Sequence, residues 1–355
     1  MAMLACTCTA LAVACGSGAK TESSNASNGP ARTFMLGFST VPRALNGAAY
    51  ADTFKLASQN GEVVLIQRTP KWSEFLPGAA VSDNTAQTTA SEKKSISDRG
   101  LKLFFAIDPT DGATGRDRLA DLPSPLFGQN FGDAGVRAAF VSYAEYVALN
   151  YRPAYLALGV EMNEYYEKNK ADFENYKTLY AQAYDAVKKI SPETQITVTF
   201  QYEDLLGILP TTDKHYPDFQ LLRAFDPRLD IMTITTYPSL AFASPGAIPA
   251  NYYTQLRVFT KQPIAIAAMG YSSVASPAQK GGGEDDQAAF LRRAFADAQK
   301  IGMPFVIWFT GWDPSFAKDS AYSAFQHIGL LTEDGSEKPA WSDWLETAHR
   351  PYRRN

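Results

Sequence analysis

Beyond its first fifteen residues the chain has no cysteine: Cys6, Cys8 and Cys15 are all it contains. The body therefore holds no disulfide, no thiol nucleophile and no cysteine-based zinc site. Histidine is almost as scarce, with only His215, His327 and His349 and no His-Glu-x-x-His spacing, so a zinc hydrolase of that type is excluded and no metal or cofactor is expected. Basic charge never accumulates except in the short tail 350–354, and 33 Lys+Arg against 37 Asp+Glu leave a net charge of −4. A chain without a basic stripe has nothing to track a phosphate backbone, so no nucleic-acid partner is expected. There is no Gly-x-Ser-x-Gly elbow and no glycine-rich phosphate turn after the first apolar run, which argues against an α/β-hydrolase and against a dinucleotide-binding sheet.

What is present is a folded composition: 45% hydrophobic, 12% aromatic and 20% charged over 355 residues. Eight short apolar runs, at 34–39, 62–67, 102–107, 154–160, 195–200, 230–235, 263–268 and 304–309, are nearly continuous in apolar character, as strands covered on both faces must be. Amphipathic stretches such as 135–150, 171–190 and 285–301 lie between them. The alternation predicts an α/β fold, a single (β/α)8 TIM barrel over 33–347. A basic tail is expected at 348–355 and a monomer is expected overall.

The N-terminus is of another kind. An apolar segment, 3–14, too short to span a bilayer, runs into Leu11-Ala12-Val13-Ala14-Cys15-Gly16. That stretch resembles a bacterial lipobox. The resemblance implies a signal peptide, 1–14, lipidation of Cys15, a Gly/Ser/Asn-rich tether, 15–32, and an address in the bacterial cell envelope, with outer membrane or cell surface favoured. The membrane would then be a partner through the lipid anchor only.

A barrel's function sits at the C-terminal ends of its strands. Those ends carry Trp72 after the second run, Asp108 after the third, Glu161, Asn163 and Glu164 after the fourth, and Gln201, Tyr202 and Glu203 after the fifth. Tyr237 follows the sixth, Tyr271 the seventh, and Trp308, Trp312 and Asp313 end or follow the eighth. Carboxylates, amides and flat rings suit a sugar, whose C–H faces stack on rings while its hydroxyls take hydrogen bonds. A polysaccharide or oligosaccharide is the expected partner.

The stretch Leu158-Gly159-Val160-Glu161-Met162-Asn163 is similar to a Gly-Asn-Glu-x-Asn motif, and 263–273 to a Pro-x-x-Ile-x-Glu-x-Gly-Tyr/Trp-x-Ser pattern. On these residues the chain resembles the glycoside hydrolases that carry one glutamate after strand four and another after strand seven of a (β/α)8 barrel. Within that clan it is most similar to the arabinogalactan endo-β-1,4-galactanase group or an unassigned relative. The resemblance implies that Glu161 is the acid/base. Asn163-Glu164 is itself an Asn-Glu pair, and in that register Glu164 takes the role; Glu161 is the preferred reading. Val160 stands in place of the motif's asparagine, and Ala268 stands where the nucleophile glutamate belongs. Retaining hydrolysis needs two carboxyl groups about 5–5.5 Å apart, so the chain is expected to be inactive or weakened, whether the alanine arose by natural loss or by design. The alternative is a non-catalytic glycan-binding protein or an envelope structural lipoprotein.

Overall fold

The computed structural model describes residues 29–353; the expected signal peptide, Cys15 and most of the tether lie outside them. The chain alternates β1 (Met35–Ser39), α1 (Gly47–Asn60), β2 (Val63–Arg68), α2 (Asp83–Asp98), β3 (Lys102–Ile107), α3 (Ala134–Tyr151) and β4 (Tyr155–Ala157). It continues with α4 (Met162–Lys168), α5 (Lys170–Ile190), β5 (Gln195–Thr197), β6 (Thr199–Gln201), α6 (Tyr202–Leu205) and β7 (Met232–Thr236). β8 (Ile264–Met269), α7 (Glu284–Ile301), β9 (Phe305–Trp308) and α8 (Pro339–Ala348) complete it. Every strand pairing is parallel, in the order β5-β4-β3-β2-β1-β9-β8-β7-β6. β5 and β6 are two halves of one barrel strand interrupted at Val198. The first half pairs with β4 and the second with β7, so the nine pieces close an eight-stranded (β/α)8 barrel.

Alternation along the strands sorts side chains into two apolar layers. Met35, Val63, Leu65, Phe104, Ala106, Ala157, Ala265, Phe305 and Ile307 fill the barrel interior. Leu36, Phe38, Val64, Ile66, Phe105, Leu156, Ile266, Val306 and Trp308 face the helices. Helix starts are set by short polar side chains, which satisfy N–H groups left without intrahelical partners. Asn46 accepts from Ala49 N, Ser82 from Thr85 N, and Asp133 from the N–H groups of Gly135 and Val136.

Two features depart from the sequence expectation. The fourth strand ends at Ala157 rather than residue 160, because Gly159 is pressed against Tyr176, whose hydroxyl donates to Leu158 O at 2.9 Å. A Cβ at Gly159 would meet that hydroxyl at 2.1 Å. The connection from β7 to β8 holds only short 3-10 turns in place of a helix. The ends of the described chain also pack onto the barrel. Arg32, expected at the end of the tether, is 2% exposed, pairs with Glu62 and bridges to Tyr352. Tyr352, in the expected tail, packs onto the floor of the barrel. Among the described residues no helix is long and apolar enough to cross a membrane.

Trp344 of α8 anchors closure between the first and last units. It is fully buried, lies 4.4 Å from the Phe38 ring centroid, and donates from Nε1 to Asn60 O at 2.9 Å. Trp344→Ala is expected to destabilise the fold by about 3–5 kcal/mol, read as a shift of the urea midpoint, with Trp344→Phe losing clearly less.

Candidate active site

The strand ends open into a cleft of about 650 Å³ at the C-terminal mouth. Interior positions lead into it by parity: Val63 and Leu65 point to Gln67, Phe104 and Ala106 to Asp108, and Phe305 and Ile307 to Phe309. Gln67, Asp108, Glu161, Glu164, Gln201, Thr235, Tyr237 and Phe309 line the cleft, with Arg116 from the loop after β3 among them.

Arg116 is 5% exposed and lies between two carboxylates. Its Nη1 donates to Asp108 Oδ1 at 2.6 Å, and its Nε and Nη2 reach Glu161 Oε2 at 2.8 and 2.7 Å. The Thr235 hydroxyl donates to the other oxygen, Glu161 Oε1, at 2.6 Å. Both Glu161 oxygens are thus occupied as acceptors. The backbone here is left-handed, with φ 52° at Glu161, a conformation that costs an L-residue roughly 1–2 kcal/mol. It is held by the Glu161 N–H donating to Thr199 Oγ1 at 2.9 Å. The turn aims the Glu161 side chain across the mouth as α4 begins. Glu164, one turn further on, also faces the cleft. Burial, reinforced by the charge of Glu161, pushes its carboxyl up to about 8, which favours its protonated form.

Ala268 lies at the same mouth. It pairs with Thr235 after a bulge in β8 and is 2% exposed. Its methyl group belongs to the interior layer together with Tyr237 and Ile328. Tyr237, Phe309 and Phe325 pack edge to face with one another, at centroid distances of 4.9–6.0 Å.

Of the other residues expected to touch substrate, the cleft takes Asp108, Gln201 and Tyr237 and leaves out the rest. Trp72 is buried on the helix side against Phe140, with Nε1 donating to Ala120 O. Asn163 is 1% exposed and clamps the backbone of Gln201 through both amide atoms. Tyr202 points outward to Tyr252. Glu203 is fully buried and accepts from Thr236 Oγ1, Tyr252 Oη, Gln201 Nε2 and Tyr237 N at 2.6–3.0 Å. It therefore holds cleft residues in place from beneath. Tyr271 stacks on Phe290, and Trp308 sits in the helix-facing layer with Nε1 on Ile328 O. Trp312 packs under Arg43, and Asp313 is taken by Lys338 and Gly329 N. A place at a strand end does not suffice; the side chain must also fall on the interior phase. Gln67 and Phe309 satisfy that test and are missing from the residues expected by sequence. Arg116, Tyr322 and Phe325 come from loops and carry no local signal.

The arrangement has known counterparts in fold. The exo-β-1,4-mannosidase of Opitutaceae bacterium strain TAV5 superposes with a TM-score of 0.68 at 15% identity, over 90% of this chain and 59% of its own. A GH5_18 protein of Bifidobacterium longum subsp. longum, solved with Manβ1-4GlcNAc, gives 0.67 at 16% identity, over 90% and 80%. Xylanase 10B of Thermotoga maritima gives 0.62 at 10% identity, over 89% and 95%. The chain spans about three fifths of the length of the mannosidase (59%). No protein-family profile and no curated protein matches the sequence. At these identities the likeness establishes the fold: a (β/α)8 barrel of the type found in glycoside hydrolases.

Glu164 has a direct consequence for stability. Its carboxyl lies at about 8 in the folded chain against 4.5 ordinarily, so between those pH values the folded state holds the extra proton. Unfolding free energy must then fall as pH rises through that window. Glu164→Gln is expected to flatten the fall, gaining on the parent between pH 5 and pH 9 in chemical denaturation. An unchanged difference between the two pH values would contradict the assignment.

Proposed function

We propose that the barrel binds a β-linked oligosaccharide or polysaccharide in the mouth cleft and lacks the machinery for retaining hydrolysis. The observation that carries this reading is the one-sidedness of the cleft. Its carboxylates, Asp108, Asp111, Asp121, Glu161 and Glu164, all come from the segments after β3 and β4. The facing wall presents Tyr237, Phe309, Tyr322 and Phe325. A polar wall opposite an aromatic wall suits a pyranose ring, with hydroxyls on one side and a C–H face on the other. Double displacement, by contrast, needs a carboxylate on each side of the anomeric carbon, and Ala268, where the sequence resemblance expects the second carboxylate, offers only a buried methyl. The sequence stretches at 158–163 and 263–273 support a galactan-type chain. The names of the fold neighbours add mannosidic and xylan substrates to the panel.

A slow hydrolase is the second reading, favoured by the upward push on the Glu164 carboxyl, since a protonated carboxyl can serve as a general acid. Calorimetric titration and aryl-glycoside assays with β-galacto-, β-manno- and β-xylo-oligosaccharides separate the two. Binding without turnover is expected. Tyr322, 47% exposed at the cleft edge, gives a clean test: Tyr322→Ala should weaken binding at least tenfold, or about 1.4 kcal/mol. Turnover that disappears with Glu164→Gln would favour the hydrolase, and absence of both binding and turnover across the panel would refute the carbohydrate reading.

We also propose that the protein is held on the bacterial envelope through Cys15, on the support of the lipobox-like 11–16 stretch. Arg32 enters at the floor, where β1 begins, while the cleft lies at the opposite end. A tether arriving there would leave the cleft facing away from the membrane. Cys15→Ser is expected to move the protein from the membrane to the soluble fraction; unchanged fractionation would show that Cys15 is not the anchor.

A further inference from the structure

Behind the cleft wall, three side chains from separate elements converge: Glu167 on α4, Asp204 in α6 and His215 in the loop 206–218. One ligand-capable atom from each lies within 4.8 Å of the other two. The imidazole is oriented from its far side, with Nδ1 2.7 Å from Tyr216 O. A carbonyl can only accept, so Nδ1 carries a proton, and Nε2 is the nitrogen left to face a metal ion. Nε2 is buried, makes no hydrogen bond, and touches Glu167 Oε1. Asp204 is fully buried. Its Oδ2 accepts from Asn163 Nδ2 at 2.6 Å, while Oδ1 accepts no hydrogen bond. Two carboxylates and an imidazole nitrogen thus meet in one place, with His215 Nε2 paired only to Glu167 and the buried Asp204 Oδ1 unmatched. A buried carboxylate oxygen left so is costly unless a cation reaches it.

We propose that Glu167, Asp204 and His215 bind a divalent transition ion of the zinc type. One imidazole nitrogen with two carboxylate oxygens is a donor set for zinc rather than for calcium or magnesium, which favour six or more oxygens. Bonds of about 2.0–2.2 Å place tetrahedral ligand atoms roughly 3.3 Å apart, within reach of the present spacing by small side-chain rotations. Three protein ligands leave one position for water. The surrounding contacts fit the role: the Tyr216 carbonyl fixes the imidazole, and Asn163 fixes Asp204 while clamping Gln201 at the cleft. The ion would fasten the 206–218 loop to α4, and that loop supplies Leu209, Thr211 and Thr212 to the cleft wall. The site goes beyond the carbohydrate reading and does not depend on it.

The test uses the full chain, stripped with a chelator, dialysed and titrated with ZnCl2 by calorimetry, with MgCl2 and CaCl2 in parallel. One Zn2+ per chain and a rise in melting temperature are expected. His215→Ala and Glu167→Gln should each lower Zn2+ affinity at least tenfold; both are partly exposed and spare the buried Asp204. Co2+ in place of Zn2+ should give an absorption spectrum without a thiolate charge-transfer band, which separates this site from Cys6, Cys8 and Cys15. No Zn2+ binding would overturn the proposal and leave a proton as the only cation there. Binding undiminished in both variants would place the ion elsewhere and overturn it too. Mg2+ or Ca2+ binding as tightly as Zn2+ would overturn the assignment of ion class.

Discussion

The mouth of the barrel is organised around the Arg116 guanidinium. It is nearly sealed from water and bonded to Asp108 from the end of β3 and to Glu161 from the turn after β4. Through Thr235, Glu161 is tied onward to β7, and through Gln67, Asp108 is tied back to β2. Four strand ends are thereby joined by charge-assisted bonds. Two carboxylates held this close would repel each other without the cation between them, and a cation this deeply buried would be untenable without both. The polar wall of the cleft is therefore a single unit.

Opposite that wall the interior layer continues upward without a break. Ala268, Tyr237 and Ile328 belong to the same apolar cluster as the barrel centre, and Phe309 and Phe325 extend it to the surface. Ala268 is therefore part of a continuous apolar environment, with the residues above it packed as hydrophobic neighbours. Beneath both walls lies a layer of support. Glu203 saturates its oxygens on Gln201, Thr236, Tyr237 and Tyr252, and Asn163 pins the Gln201 backbone. Carboxylates and amides that read as substrate ligands in the sequence hold the residues that face the cleft.

Most of the fold is legible in the order of residues. All eight apolar runs form barrel strands, because a strand covered by helices outside and packed side chains inside must be apolar on both faces. The site is legible only in part. Glu161, Glu164, Asp108, Gln201 and Tyr237 reach the cleft, while Trp308, Tyr202 and Tyr271 face outward or pack beneath it. For several of these positions the distinction is one of phase. Phe305, Ile307 and Phe309 point inward, so Trp308 must point outward; Val63, Leu65 and Gln67 point inward, so Arg68 turns to Glu92. Strand alternation already holds this information for Gln67 and Phe309.

Other parts have no local trace. Arg116 comes from an irregular loop and is chosen by what stands opposite it, two carboxylates brought together by strand order. Glu167, Asp204 and His215 are separated by 37 and 11 positions along the chain and meet only because α4, α6 and the following loop fold over one barrel edge. By itself the sequence determined the strands, most of their helical cover and the alanine at 268, since these depend on residue type and short-range period. Tertiary structure alone decided which polar side chains face the cleft, which support it from behind, and which loop residues complete it. Those outcomes depend on long-range proximity, which no local pattern encodes.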